Sequence, residues 1–183
     1  KEGGEPEVFL DPNSFSADGT TSLAGISFTK DGSLCAYQIS EGGSDWRKVI
    51  VLNAETKAVI EDTLIDVKFS GISWKGNEGF YYSSYDKPKE GSALMGMTDQ
   101  HKLFFHKVGT EQSADVLVFG GAATPRRYIG ASVTEDGQFL VVTAAVSTTG
   151  NELYIQDLKS KGKLVRVVDG FDQEYNVVDA VDG

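Results

Sequence analysis

An internal repeat constrains this chain more than any other feature. The stretch Gly25 to Ser40 (GISFTKDGSLCAYQIS) returns 46 residues on as Gly71 to Ser84 (GISWKGNEGFYYSS). It returns again, 59 residues further, as Gly130 to Ala145 (GASVTEDGQFLVVTAA), and one more step of 46 reaches Asn176 to Gly183. Gly25, Gly71 and Gly130 match, as do Ser27, Ser73 and Ser132, and Asp31, Asn77, Asp136 and Asp182. Each copy reads as a β-hairpin. A short apolar-alternating run such as Ile26 and Phe28 meets a turn of Asp or Asn with Gly, which tolerate positive φ at little cost, and a second apolar run follows, Leu34 to Ile39. In the later copies that second run, Phe80-Tyr81-Tyr82 or Phe139-Leu140-Val141-Val142, is nearly continuous in apolar residues. Strands covered on both faces have that pattern.

A third strand follows each hairpin: Val49-Ile50-Val51-Leu52, Leu103-Phe104-Phe105 and Leu153-Tyr154-Ile155. A weaker fourth comes after it: Ala58-Val59-Ile60, Val116-Leu117-Val118 and Leu164-Val165-Arg166-Val167-Val168. Four short strands per period of about 40 to 50 residues are the mark of propeller blades. The expected fold is therefore all-β, a partial β-propeller of about three four-stranded antiparallel blades plus the first strand of a fourth. The order is a Gly-, Pro- and Asp-rich lead-in over 1–22, with Val8-Phe9-Leu10 as a short strand, then blades over 23–66, 67–120 and 127–169, and the start of the next blade over 174–183. An insertion between the second and third strands, Asp86 to Gln100 (DKPKEGSALMGMTDQ), explains the enlarged second repeat and carries Lys87, Lys89, Met95 and Met97. No window holds a sustained 3.6-residue apolar period, so essentially no helix is expected.

Composition narrows the function classes. Lys plus Arg number 17 against 27 Asp plus Glu, a net charge of −10. That disfavours nucleic acid as a partner, because such binding rests mainly on cation–phosphate contacts, and acidity serves solubility instead. No apolar run approaches the ~18 residues that span a bilayer, so no membrane partner is expected. Cys35 is the single cysteine, which excludes an intrachain disulfide or a thiolate metal cluster. It reads as a small packed residue between Leu34 and Ala36. The chain opens on Lys1 and stops just as a turn, Asp182-Gly183, arrives. Both ends read as cut from something larger.

Reactive constellations are missing. There is no G-x-S-x-G elbow, and Ser27 and Ser73 sit in strand patterns with no sharp strand-to-helix turn to activate them. Neither phosphate-cradling glycine motif occurs. His101 and His106 are five apart on one strand candidate, so alternation sends them to opposite faces, and no metal or other cofactor is expected. The Asp-Gly pairs at 18, 31, 136 and 182 offer too few oxygen ligands for a calcium loop and read as turn formers. Trp46, after the polar loop Glu41 to Asp45, reads as a lid over the strand ends, with a ligand platform as the alternative. This chain by itself is expected to be catalytically inactive.

Specific strings go beyond periodicity. They are Val8-Phe9-Leu10-Asp11-Pro12-Asn13, Ser16-Ala17-Asp18-Gly19-Thr20, Gly43-Ser44-Asp45-Trp46, Val67-Lys68-Phe69-Ser70, Gln100-His101-Lys102-Leu103 with Gly109-Thr110-Glu111-Gln112-Ser113, and Asn151-Glu152-Leu153-Tyr154. In these strings, taken in order from end to end, the chain resembles the propeller domain of the prolyl oligopeptidase family of serine peptidases. The resemblance implies a seven-bladed propeller inserted into an α/β-hydrolase domain that carries the Ser, Asp and His of the triad outside this chain. It also implies cleavage of short proline-containing peptides on the carboxyl side of proline, with the propeller capping the active site and excluding large substrates. By motif position, Phe69 falls on a substrate-pocket aromatic of the family. Tyr128 and Thr148 fall where the family has other pocket-lining residues, though the residue types differ here.

Strand direction gives an independent check on those three. In a four-stranded antiparallel blade, the second-to-third connections and the links between blades emerge on one rim, and the first hairpin turns on the other. Phe69, Tyr128, Thr148, the 86–100 insertion and the Gly42–Trp46 loop then share one rim, the side expected to face the hydrolase. Interblade core remains the alternative for Phe69. A non-enzymatic propeller serving as a protein- or ligand-binding platform is the alternative for the whole. Two unpaired blade faces lead to an expectation of self-association. The compartment is read as cytoplasmic, with the periplasm as the alternative.

Overall fold

The computed structural model describes residues 4–86 and 99–180. Its strands form three separate four-stranded sheets, each antiparallel and each pairing in chain order. The first holds β1 (Thr21–Phe28), β2 (Leu34–Glu41), β3 (Trp46–Asn53) and β4 (Leu64–Lys68). The second holds β5 (Ser73–Lys75), β6 (Gly79–Ser84), β7 (Lys102–Lys107) and β8 (Val116–Gly120). The third holds β9 (Tyr128–Val133), β10 (Phe139–Ala145), β11 (Asn151–Asp157) and β12 (Val165–Val168). Among the described residues helix is confined to single 3-10 turns at Pro12–Ser14, Gln112–Ala114 and Gly121–Ala123. This is the all-β arrangement of successive blades that the repeat implies.

The hairpin turns show why the repeat returns to Asp or Asn with Gly. Asp31 Oδ1 accepts from Thr29 Oγ1 at 2.7 Å, Ser33 N at 3.0 Å and Ser33 Oγ at 2.8 Å, while Gly32 takes φ +72°. The third sheet repeats this, with Thr134 Oγ1 and Gln138 N on Asp136 Oδ1 at 2.6 and 3.0 Å and Gly137 at φ +71°. Asn77 in the second sheet reaches across to the first, its Nδ2 donating to Asp31 Oδ2 at 2.7 Å. That bond, followed by the local ones, holds the Asp31 carboxyl well below the usual carboxylate range. The three turns thus share one rim.

Several expected strand positions shift. The fourth strand of the first sheet is Leu64–Lys68, not Ala58-Val59-Ile60, which makes only the bridge Leu52↔Val59. Leu64 and Val67 bury against the second sheet, whereas Val59 stays 57% exposed, so burial selects the later segment. Val8-Phe9-Leu10 joins no ladder. Its segment lies over the outer face of the first sheet, with Phe9 5.2 Å from the Phe28 ring, Phe15 stacked on Tyr37 at 5.7 Å and Val8 O accepting from Lys57 Nζ at 2.7 Å. Residues 174–180 form no strand either. A strand there needs a neighbouring edge, and none is beside it among the described residues. Tyr175 is tied instead to Asn151 through bonds of 2.9 and 3.0 Å. Lys87, Lys89, Met95, Met97 and Asp182-Gly183 lie outside the described residues.

Adjacent sheets pack face to face. Ala36, Val49, Val51, Leu64 and Val67 of the first meet Trp74, Phe80 and Tyr82 of the second. On its other side the second sheet presents Tyr81 and Leu103 to Ile129, Leu140, Val142, Ala144 and Tyr154 of the third. β6 is buried at every position, which accounts for its unbroken apolar run. Polar bonds tie the same junctions. Ile65 N donates to Gln112 Oε1 at 3.0 Å and Gln112 Nε2 donates to Ile65 O at 2.8 Å, so one side chain imitates a strand pairing between blades. Ser73 Oγ accepts from Val133 N at 2.8 Å across the next junction.

His106 anchors the first junction. Fully buried, it meets Asp115 Oδ1 through Nδ1 at 2.7 Å and Glu61 Oε1, from the β3–β4 connection of the first blade, through Nε2 at 3.2 Å. Burial alone would lower its pKa, but the bonds to Asp115 and Glu61 and their charges outweigh it and raise the value to about 9. An imidazolium with a carboxylate on each nitrogen needs both protons. Because the folded value lies above the ordinary one, the stabilisation is complete below about pH 6.5 and disappears as pH rises through 9. Chemical denaturation of the chain and of His106→Gln should show the variant less stable by about 2–3 kcal/mol near pH 6, with the gap closing towards pH 10. A gap that is constant across that range would contradict a charged His106.

Candidate functional site

The rim opposite the hairpin turns carries a small aromatic surface. β4 ends at Lys68, and Phe69 follows in the left-handed region at φ +52°, a conformation rarely held by a non-glycine residue. That turn presents the ring outward, 42% exposed. Tyr128, the first residue of β9, stands edge-on to it with ring centroids 6.0 Å apart, and Tyr85 lies 6.3 Å away on the inner side. Such edge-to-face geometry aligns the positive edge of one ring with the negative face of another. The Lys68 ammonium sits 5.1 Å from the Phe69 ring and 5.0 Å from that of Trp46, its cross-strand neighbour. Trp46, read from sequence as a lid or a platform, forms one wall of this stack.

His101 fixes the surface from beneath. Fully buried and stacked on Tyr85 at 4.5 Å, it joins all three sheets. Its Nδ1 accepts from Ile129 N at 2.9 Å, which leaves the proton on Nε2 to be donated to Lys68 O at 3.0 Å. Burial pushes its pKa below the ordinary value, partly opposed by the Lys68 carbonyl, so the neutral Nε2–H form is the one held. The residues before Phe69 and after Tyr128 are thereby clamped to one imidazole. Arg127 adds lateral support, with Nε on buried Glu152 at 3.1 Å and its guanidinium 4.5 Å from the Phe171 ring.

The structure brings two of the three anticipated residues together and leaves the third apart. Phe69 and Tyr128 are in contact. Thr148 lies in the exposed β10–β11 connection on the same rim, beside a groove of about 210 Å³ shared with Ser147, Asn151 and Glu174. No contact among the described residues joins it to the aromatic pair. Sequence holds no local signal for His101 as a site residue, because its partners are backbone groups 33 and 28 residues away. The side chains gathered here are aromatic, cationic and hydroxyl. Among the described residues no three His, Cys, Asp or Glu converge as metal ligands. The surface can pack against a ligand and orient it.

Three blades of a propeller with an aromatic rim define the class. Over residues 1–183 the sequence matches the family described as "Prolyl oligopeptidase, N-terminal beta-propeller domain", and the chain belongs to that family. It is 65% identical over 176 residues to the prolyl endopeptidase of Elizabethkingia meningoseptica, covering 96% of this chain and 25% of the relative. Identity to prolyl oligopeptidase A of Amanita bisporigera is 33% over 195 residues, covering 94% of this chain and 26% of the relative. A solved prolyl endopeptidase superposes with a TM-score of 0.87 at 32% identity, over 98% of this chain and 25% of that one. Prolyl oligopeptidase B from Galerina marginata, bound to a 35mer hydrolysis and macrocyclization substrate, gives a TM-score of 0.86 at 27% identity over 96% and 26%. The chain spans about a quarter of the length of the relatives it matches.

Proposed function

We propose that this chain is the substrate-gating propeller portion of a prolyl oligopeptidase that hydrolyses short peptides on the carboxyl side of proline. The observation that carries this reading is the clamped pair of Phe69 and Tyr128 on the rim away from the hairpin turns. In the whole enzyme a hydrolase domain supplies the triad: serine attacks the proline carbonyl, histidine takes the serine proton and passes it to the leaving amine, and the acid orients the histidine. The rim closes over that site and limits access to peptides that can pass. Phe69 and Tyr128 give an apolar wall on which a substrate side chain packs, with Thr148 as a polar contact at its edge. Holding Phe69 in a strained backbone conformation spares the peptide the cost of ordering it.

The alternative, a binding platform without chemistry, requires that the reading frame hold further blades and no G-x-S-x-G segment. Against it stands the naming of the close relatives as prolyl endopeptidases. Among the described residues no helix is long and apolar enough to cross a membrane. We read the compartment as cytoplasmic, since a lone buried Cys35 calls for no oxidising environment, and fractionation of producing cells would distinguish the periplasm. The isolated chain self-associates through its unpaired blade surfaces in this reading, supported by Ile26 at 46%, Phe28 at 44% and Val165 at 56% exposure. Solution scattering is then expected to report a dimer or larger species, and a monodisperse monomer would contradict it.

The site is tested on the full-length parent. Phe69→Ala should raise KM for a short proline peptide about tenfold with little change in kcat, the signature of lost binding that is uniform between ground and transition states. Thr148→Ala should change either constant by less than about twofold. Unchanged kinetics in Phe69→Ala would return that residue to a purely structural role.

A further inference from the structure

We infer that Arg47 forms a carboxylate-binding subsite beside the aromatic rim, by which the parent peptidase favours peptides carrying an acidic residue near the cleaved proline. The inference deepens the peptidase reading above and rests on it. Arg47 lies in β3 opposite Ser40 and Val67, on the face turned towards the second sheet. Its Nη1 donates to Gln38 Oε1 at 3.0 Å. Gln38, only 3% exposed, is itself locked by donating Nε2 to Ser70 O at 3.2 Å. The guanidinium is thus held by a buried, oriented amide, yet it has five N–H donors and this is the one hydrogen bond its side chain makes among the described residues. No carboxylate of those residues lies within ion-pairing distance of it.

Lys68 lies over two rings, but several other cations near the rim have carboxylate partners. Arg127 and Arg166 share Glu152, and Lys48 takes Glu41 at 2.7 Å. A chain of net charge −10 has acids to spare, but it gives Arg47 a neutral partner. A half-buried guanidinium so placed gains most from an anion that arrives from outside, because a planar carboxylate can take two of its N–H groups at once. Space for one exists. Arg47, Gln38, Gly25, Ala24, Ser70 and Gly71 line a groove of about 320 Å³ that opens between β1 and the segment leading to β5. Gly25 lines it without a side chain, and a Cβ there would sit at ordinary van der Waals distance, 3.7 Å from the Gln38 amide carbon. Ser70 follows Phe69 directly, so a peptide packed on the aromatic wall has the groove within reach of a neighbouring side chain.

The test uses the full-length parent and single-proline peptides in which Glu or Gln is moved through the positions flanking proline. At one of them Glu should give about fivefold higher kcat/KM than Gln at low ionic strength, a preference that weakens with added salt. Arg47→Gln should bring that ratio to about one, and Arg47→Lys should retain part of it, with the charge kept and the planar fork lost. If Arg47→Gln leaves the Glu/Gln ratio unchanged at every position, the subsite is refuted. Lower stability alongside an unchanged ratio would mean that Arg47 pairs with a carboxylate elsewhere in the parent, and refutes it equally. A parent that cleaves no proline peptide removes the peptidase reading, and the subsite with it. One that cleaves with unaltered ratios removes the subsite alone.

Discussion

Among the described residues every strand ladder stays inside one blade, with only the single bridge Gln100↔Arg127 between the second and third, and that constraint governs the rest. Sheets that share no strand edge must be joined by apolar faces and by side chains that reach backbone groups of the next sheet. The apolar faces supply most of the attraction, which is non-directional and proportional to the area buried. Register comes from directional bonds: Gln112 on Ile65, Ser73 on Val133, His106 between Glu61 and Asp115, and His101 between Lys68 and Ile129. Left unpaired, these groups would each carry a desolvation cost, so neighbouring blades settle where all are satisfied together.

The two histidines of β7 and its approach show how strand alternation divides labour. His106 faces the first sheet and is charged, with a carboxylate on each nitrogen. His101, five residues earlier, is neutral and bonds only to backbone and ring. The charged pin sits towards the hairpin-turn rim, away from the ligand surface. The neutral one lies under the aromatic surface, where it holds Phe69 and Tyr128 without adding charge of its own.

Much of this was legible in the sequence, for physical reasons that can be named. The Asp-Gly turns are local, so Thr29, Asp31 and Gly32 announce a hairpin by themselves. The buried second strands announce themselves by unbroken apolar runs such as Phe80 to Tyr82. Fourth strands are exposed edges with weak patterning, which is why the apolar pattern points to Ala58 to Ile60 whereas packing against the second sheet puts the strand at Leu64 to Lys68. The rim location of Phe69, Tyr128 and Thr148 followed from strand direction alone. That Phe69 and Tyr128 touch while Thr148 stands apart depends on backbone angles and on the His101 clamp, for which no local pattern exists.

If polar cross-blade bonds set the register, the amides that feed them must be as well guarded as the ladders. Residue-resolved hydrogen exchange of Ile129, Val133, Ile65 and Gly109 measures this directly, because each donates to a side chain of the neighbouring blade. The account predicts that all four exchange slowly and open in a single cooperative event with the strand amides of β6 and β10. Fast exchange of these amides beside protected strands would show blades that stack without being pinned, and would contradict it.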